Sequence, residues 1–115
     1  MTTPAISIGL FLVASILGAL GQYLYKSGAD LAGGSLASYA FNPRLLYGSI
    51  CYLTVMVLFV GAFKKGGSLT ILYPTYATTF IWAAVIAFFA YGTPIKIVNV
   101  AGMAILVFGM YLMGK

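Results

Sequence analysis

The sequence of 115 residues contains no histidine, one acidic residue (Asp30) and one cysteine (Cys51). Structural metal sites are built from sets of cysteine, histidine and carboxylate ligands, so we predict no bound metal. A lone cysteine cannot form a disulfide within the chain. Because no nucleophile–base pair and no metal cluster can be assembled from this composition, we expect neither an enzyme nor a cofactor-dependent protein.

Charge is equally scarce. Only 6% of the residues are charged and 63% are apolar, whereas soluble domains carry about 25% charged residues. One membrane-spanning helix takes about 20 residues, which leaves room for about four spans. The N-terminal segment lacks the cationic start of a secretory signal, and we interpret it as a retained first span. We expect the chain to contact membrane lipid and to bind no nucleic acid.

Four apolar segments are present, at about residues 6–25, 45–63, 69–91 and 97–113. Lipid cannot satisfy backbone polar groups, so helices are predicted for all four. The predicted fold is therefore an all-α integral membrane bundle of four transmembrane helices forming one domain, residues 1–115. The last two connections are short, which predicts that consecutive helices are antiparallel neighbours. A short interfacial turn is predicted near residues 36–41.

The cationic residues are divided equally between the two ends of such a bundle. One end would carry Lys64, Lys65 and Lys115, and the other would carry Lys26, Arg44 and Lys96. The positive-inside rule reads the Lys/Arg bias of short loops, and no bias exists here. Either another cue fixes one orientation, or the chain inserts both ways round or pairs with a partner of opposite orientation.

Polar and small residues share one face of the first segment: Ser15, Gly18, Gln22 and Tyr25. Lys26 follows Gln22 by one helical turn. Such a face forms a seam between helices, in which an amide bridges neighbours, or lines a cavity. The two roles are compatible, and both remain open.

The third and fourth segments carry other signals. Pro74 in the third segment frees a backbone carbonyl and predicts a kink, with Tyr73 and Thr78 nearby. This region is either an ordinary kinked helix or a hydroxyl-rich cavity wall with a hinge at Pro74. In the fourth segment, Gly102 and Gly109 form a flat strip with Leu106 close to it. That strip would contact a second chain or pack on the third helix.

Intramembrane proton relays usually depend on carboxylates or histidine. The only carboxylate, Asp30, lies outside the predicted spans, so carboxylate-driven proton antiport is disfavoured. The six cations near the membrane interfaces instead favour anionic lipid headgroups or phosphates.

The first segment ends in Gly21-Gln22-Tyr23-Leu24-Tyr25-Lys26. This ending resembles the G-x-x-L-x-K of small multidrug resistance exporters, in the drug/metabolite transporter superfamily. Counting back places that family's essential glutamate at Gly18. The strip "GMAILVFG" also resembles the dimerisation glycines of that family.

A second branch of the superfamily is closer. Subunits that flip aminoarabinose-linked undecaprenyl phosphate, and related short EamA-like proteins, carry G-Q and K in helix one, then Y-P and F-x-W in helix three. Here these are Gly21-Gln22 with Lys26, Tyr73-Pro74 and Phe80-Ile81-Trp82. The chain departs from the pattern at Thr93-Pro94, where many relatives have Glu-Pro.

The resemblance implies a multi-pass protein of the inner (plasma) membrane that works as a homodimer or heterodimer, possibly of oppositely oriented chains. Substrate would lie between helices one to three, and helix four with Gly102, Leu106 and Gly109 would contact the second chain. On this hypothesis Lys26 or Arg44 binds the phosphate of a lipid-linked sugar. The remaining substrate-binding candidates contact the headgroup or line its cavity: Gly18, Gln22, Tyr25, Tyr73 and Thr78.

Two other functions fit the same residues. One is a small multidrug-type exporter of a metabolite or cation without the usual glutamate. The other is a non-transporting accessory subunit that stabilises a partner protein in the membrane.

Overall fold

The computed structural model of the chain describes residues 3–115. Its helices are α1 (Ala5–Leu31), α2 (Leu36–Ala40), α3 (Pro43–Lys65), α4 (Leu69–Thr75), α5 (Thr79–Tyr91) and α6 (Ile97–Met113). One 3₁₀ turn, Tyr76–Thr78, joins α4 to α5. No strand occurs among residues 3–115, and the predicted all-α class is confirmed.

Three helical segments are long and apolar enough to cross a membrane: Ala5–Leu31, Pro43–Lys65 and Leu69–Tyr91. The third is the composite of α4, the 3₁₀ turn and α5. α6 is apolar but has 17 residues, a length of about 25 Å at 1.5 Å per residue. It is therefore shorter than the hydrocarbon core of a bilayer, about 30 Å.

α1 continues six residues beyond the predicted end of the first segment. The helix continues past Lys26, and the Lys26–Asp30 ion pair supports this extra turn: Lys26 Nζ lies 3.4 Å from Asp30 Oδ2, four residues further on. The link to α3 is then fixed by Asn42, whose Oδ1 accepts from Arg44 N at 3.0 Å and caps α3. Asn42 Nδ2 donates to the Gly28 carbonyl at 2.8 Å, which ties the two helix ends together.

The opposite end of the bundle is closed by the turn from α3 to α4. Gly66 and Gly67 have φ of 111° and 124°, a region open to glycine and strained for other residues. Ser68 then caps α4 by accepting from Thr70 N. Ser7 of α1 is fully buried beneath this turn and contacts two carbonyls, Ala62 O at 2.9 Å and Gly66 O at 2.7 Å.

α1 is the central helix, and it packs against α3, α4, the 3₁₀ turn and α5. Glycines and tyrosines interlock along its contact with α3. A Cβ at Gly21 would lie 2.8 Å from the Tyr52 ring, and one at Gly48 would lie 2.8 Å from the Tyr25 ring. The Tyr25 and Tyr52 rings stack at 5.2 Å between centroids. Close helix approach through small residues is the usual basis of packing in membranes.

α6 departs from the predicted arrangement. It contacts α4 and the 3₁₀ turn, but makes hardly any contact with α5 within residues 3–115. The 3₁₀ turn follows Pro74 directly, where the regular hydrogen-bond ladder of a helix is interrupted. α5 and α6 are thus consecutive helices that diverge rather than pack together.

Candidate functional site

A concave surface with polar side chains lies between α1 and α5, and we call it the tyrosine cleft. Its volume is about 520 Å³, within the range of small-molecule sites. Gln22 and Lys26 line it from α1, one turn apart, together with Tyr23. Tyr91 at the end of α5 and Thr93 in the following loop complete its polar end.

One aromatic ring and one carboxylate lie close to the Lys26 ammonium. Lys26 Nζ lies 5.3 Å from the centroid of the Tyr91 ring, within the range of a cation–π contact. The Tyr23 and Tyr91 rings are themselves in contact, at 5.8 Å between centroids. Lys26 and Asp30 are each 61% exposed. An exposed ion pair contributes at most about 1 kcal/mol, so an incoming anion can displace Asp30 readily.

The remainder of the cleft is apolar. Ala19 lies on α1, and Ala83, Ile86 and Ala87 lie on α5. Small side chains keep this part open while offering no hydrogen bonds. The cleft therefore combines an ammonium, an amide and a hydroxyl at one end with an apolar channel, the pattern that suits an amphipathic anion.

Gly18 lies one turn before Gln22 and is buried. A Cβ at this position would lie 2.9 Å from Cζ of Tyr76 and closer still to its hydroxyl oxygen. The Gly18 carbonyl accepts from the Tyr52 hydroxyl at 3.2 Å. Gly18 is thus part of a packed contact between α1, α3 and the 3₁₀ turn, and it does not line the tyrosine cleft.

Two further predicted substrate residues lie on the α3 side of α1. Tyr25 packs against Gly48, and its hydroxyl lies 3.2 Å from Ser49 Oγ. Arg44 is exposed in the first turn of α3, where its Cβ lies close to Gly28. The structure therefore brings Gln22 and Lys26 together in the tyrosine cleft and places Tyr25 and Arg44 outside its lining.

The two substrate-binding residues predicted in the third apolar segment, Tyr73 and Thr78, lie in different places. Tyr73 is 63% exposed, and it lines a shallow cavity of about 380 Å³ with Pro74. Thr78 faces α1, where its Oγ1 lies 2.8 Å from Oγ of the buried Ser15 and 3.0 Å from the Thr75 carbonyl. Thr78 thus joins the 3₁₀ turn to α1 at the level of the kink.

The divergence of α5 and α6 leaves an apolar groove of about 540 Å³, which we call the α5–α6 slot. Phe80, Ala84 and Ala87 line it from α5, and Gly102 and Leu106 line it from α6. At both Gly102 and Gly109, a Cβ would meet no described atom within 4 Å. The strip predicted to contact a second chain is therefore unoccupied by residues 3–115.

Sequence reasoning missed three polar residues of the tyrosine cleft: Tyr23, Tyr91 and Thr93. Tyrosines near the ends of spans are common as interfacial anchors, and that signal would have marked Tyr91. Its partnership with Lys26 depends on the direction that α5 takes after the 3₁₀ turn. No local sequence pattern predicts the direction of α5.

No group of three metal-ligating side chains occurs in the described part of the chain. Comparison with protein-family models, curated proteins and solved structures finds no match for this chain.

Proposed function

We propose that this chain is a small membrane transporter or flippase subunit that moves the headgroup of an anionic lipid, such as a polyprenyl-phosphate-linked sugar, across the bilayer. The observation that supports this function best is the position of Gln22 and Lys26 at the polar end of an otherwise apolar cleft. A phosphate suits the ammonium of Lys26, and sugar hydroxyls suit the amide of Gln22 and the hydroxyl of Thr93.

The apolar part of the cleft would hold the beginning of the lipid tail. Because the cleft lies on the surface between α1 and α5, the tail can leave sideways into the bilayer while only the headgroup crosses. In this proposal the chain forms a four-helix membrane bundle with α6 as the fourth span. The α6 strip of Gly102, Leu106 and Gly109 serves a homodimer or heterodimer with a second four-helix chain. The resemblance stated above supports the inner membrane as its location.

Replacement of the lysine tests the proposed function. We expect Lys26→Ala and Gln22→Ala to lower the rate of lipid translocation in vesicles, with the larger loss for Lys26→Ala. A hydrogen bond to a charged group contributes about 1.5–3 kcal/mol, which corresponds to a loss of about 10-fold to 100-fold. The measurement is the rate at which a fluorescent lipid-linked phosphate becomes accessible to an impermeant quencher.

Lys115→Ala is the matched control, because Lys115 Nζ lies 5.0 Å from the Tyr111 ring in the same kind of contact but outside the tyrosine cleft. Its rate should equal that of the unmodified protein. Unchanged rates in both cleft variants would exclude the proposed site.

A second candidate function is an accessory subunit. It is favoured by α6, none of whose residues is buried against the described part of the chain. Reconstitution separates the two: flux from the purified chain alone supports transport, whereas flux only beside a second membrane protein supports the accessory role. The multidrug-type exporter remains the runner-up transport function, and translocation of a lipophilic cation in place of the lipid would favour it.

A further inference from the structure

In the proposed function the α5–α6 slot binds no part of the transported lipid, although its volume of about 540 Å³ is close to the 520 Å³ of the tyrosine cleft. Two of its lining residues, Gly102 and Leu106, belong to the α6 strip assigned there to a second chain. Its lining is mainly apolar, and Thr93 and Asn99 supply hydroxyl and amide groups near the loop end. In a bilayer such a groove does not stay empty, because lipid chains or another helix fill it.

The depth of the slot indicates which of these fits. Along α6 the lining extends from Val98 to Leu106, eight residue steps or about 12 Å. A helix crossing the membrane would need a groove along the whole hydrocarbon core of about 30 Å. The slot ends inside the bundle because α6 meets α4 and the 3₁₀ turn there. It is therefore an opening into one leaflet only, with the reach of a lipid chain.

The lysines near the open end of the α5–α6 slot indicate which kind of lipid headgroup would lie there. Lys96 lies between the lining residues Ile95 and Val98, at the start of α6. Lys26 is on the same end of the bundle, in the cleft that shares Thr93 with the slot. The only carboxylate of the chain, Asp30, is already paired with Lys26. Surface lysines at a membrane attract anionic lipid headgroups.

We propose that the α5–α6 slot binds one acyl chain of an anionic phospholipid from the leaflet at the Lys26–Lys96 end, as a lipid held by the protein and separate from the transported ligand. This bound lipid fills the space that helix packing leaves between α5 and α6. The proposal does not depend on transport, because it concerns a second site on the other side of α5. With this lipid in place, a second chain would contact the α6 strip at Gly109, which lies outside the slot lining.

The test fills the slot with a side chain. Gly102→Phe adds an aromatic ring in the open space of the slot. Ala104→Phe is the matched control, because residue 104 lies nearly opposite on α6 and is outside the slot lining. Each protein is extracted from vesicles of equal phosphatidylglycerol and phosphatidylcholine with identical chains. Native mass spectrometry then counts the lipids retained per chain.

We expect one phosphatidylglycerol per chain in the unmodified protein and in Ala104→Phe, and its loss in Gly102→Phe. Ala84→Leu narrows the slot from the α5 wall and should reduce retention as well, which covers a Gly102→Phe protein that fails to fold. Lys96→Gln should lower the preference for phosphatidylglycerol about fivefold, the factor that corresponds to about 1 kcal/mol per surface lysine. Lys64→Gln, at the opposite end, should leave it unchanged.

Three results would overturn the proposal. Equal retention in Gly102→Phe and Ala104→Phe would show that the slot holds no lipid. Retained lipid with a dimer lost in Gly102→Phe would make the slot a contact with a second copy. Loss of the lipid in Lys26→Ala, but not in Gly102→Phe, would place it in the tyrosine cleft as the transported ligand. Because the experiment measures lipid retained by the chain, its result can be interpreted whether or not the chain transports lipid.

Discussion

Single glycines on α1 determine where large rings from its neighbours lie. Gly18 makes room for Tyr76 and Gly21 makes room for Tyr52, each at a distance that a Cβ would obstruct. Both rings reach α1 from different elements, so the two glycines hold α3 and the 3₁₀ turn against the same helix. For Gly18 this has a further consequence: a larger side chain there would displace Tyr76.

We expect Gly18→Ala to destabilise the protein by about 1–3 kcal/mol, the range for overpacking of a well-packed site. The measurement is the free energy of unfolding in detergent micelles. Gly61→Ala is the control, since a Cβ there meets no described atom within 4 Å. Its stability should be unchanged or raised by up to about 1 kcal/mol, because alanine is the better helix former.

The double variant Gly18→Ala/Tyr76→Phe removes the hydroxyl that the new methyl group meets, and should recover part of the loss. If Gly18→Ala costs the same stability with and without the Tyr76 hydroxyl, that contact is not the cause of the loss.

Which site residues the sequence could identify depended on their separation. Gln22 and Lys26 are one turn apart, so periodicity alone places them on one face. Tyr91 is 65 residues from Lys26, and their contact exists only because α5 emerges from the 3₁₀ turn beside α1. Arg44 illustrates the converse: it lies at the same end of the bundle as Lys26, but on the α3 side of α1, which net charge at an end cannot reveal.

At the scale of elements, the break in the third apolar segment organises both concave surfaces. α5 is one wall of the tyrosine cleft and one wall of the α5–α6 slot, and Ala87 lines both. At the start of α5, the Thr78–Ser15 contact joins the 3₁₀ turn to α1. A change in the turn therefore alters both surfaces together.

We expect Pro74→Ala to restore regular helical hydrogen bonds, straighten the segment and bring α5 towards α6. Spin labels at Phe89→Cys and Val100→Cys, in a Cys51→Ser background, report this distance across the slot by electron paramagnetic resonance. The mean distance should shorten as the helix axes approach the 8–10 Å or so of packed helices.

Pro43→Ala is the control for a lost proline, because Pro43 occupies the first turn of α3, where proline is well accommodated. The same distance distribution in Pro74→Ala and Pro43→Ala would contradict a role of Pro74 in the divergence of α5 and α6.

Hydrophobic periodicity and turn residues predicted the helices better than the packing of the helices against one another. α6 covers residues 97–113 in both prediction and structure, since "GTPIK" before it is unambiguous turn chemistry. The first helix extends beyond the predicted segment, because the Lys26–Asp30 pair supports another turn. The divergence of α6 from α5 was not predictable from loop length, which limits distance but not direction.

For the whole molecule, the structure keeps the cations at two opposite ends. The Gly28–Asn42 bond and the contact of Lys26 with Tyr91 belong to one end, and the bonds of Ser7 beneath the α3–α4 turn belong to the other. Lys26, Arg44 and Lys96 are thus opposed by Lys64, Lys65 and Lys115, and short-loop charge supplies no preferred orientation.

We expect the chain to insert in both orientations, and we expect Lys64→Gln/Lys65→Gln to convert it to one. Removing two cations from one end leaves the Lys26 end as the cytoplasmic one under the positive-inside rule. A Gly33→Cys label site in a Cys51→Ser background reports that end through an impermeant maleimide on whole cells. Labelling should fall from about half of the chains to almost none.

Lys64→Arg/Lys65→Arg keeps both charges and should keep the mixed labelling. Complete labelling or complete protection of the unmodified chain would mean that a cue other than loop charge fixes its orientation.

The buried Ser7 contact makes one end of the bundle a pivot. Its hydroxyl lies within hydrogen-bond distance of both Ala62 O and Gly66 O, beneath a turn whose glycine conformations other residues would strain. At the other end Asn42 ties α3 to α1, whereas α5 meets α1 through the Tyr91 ring beside Lys26 and Tyr23. Movement of α5 against α1 would therefore open the polar end of the tyrosine cleft. One chain would then open to one side of a membrane alone. Two chains inserted in opposite orientations would provide an opening on each side.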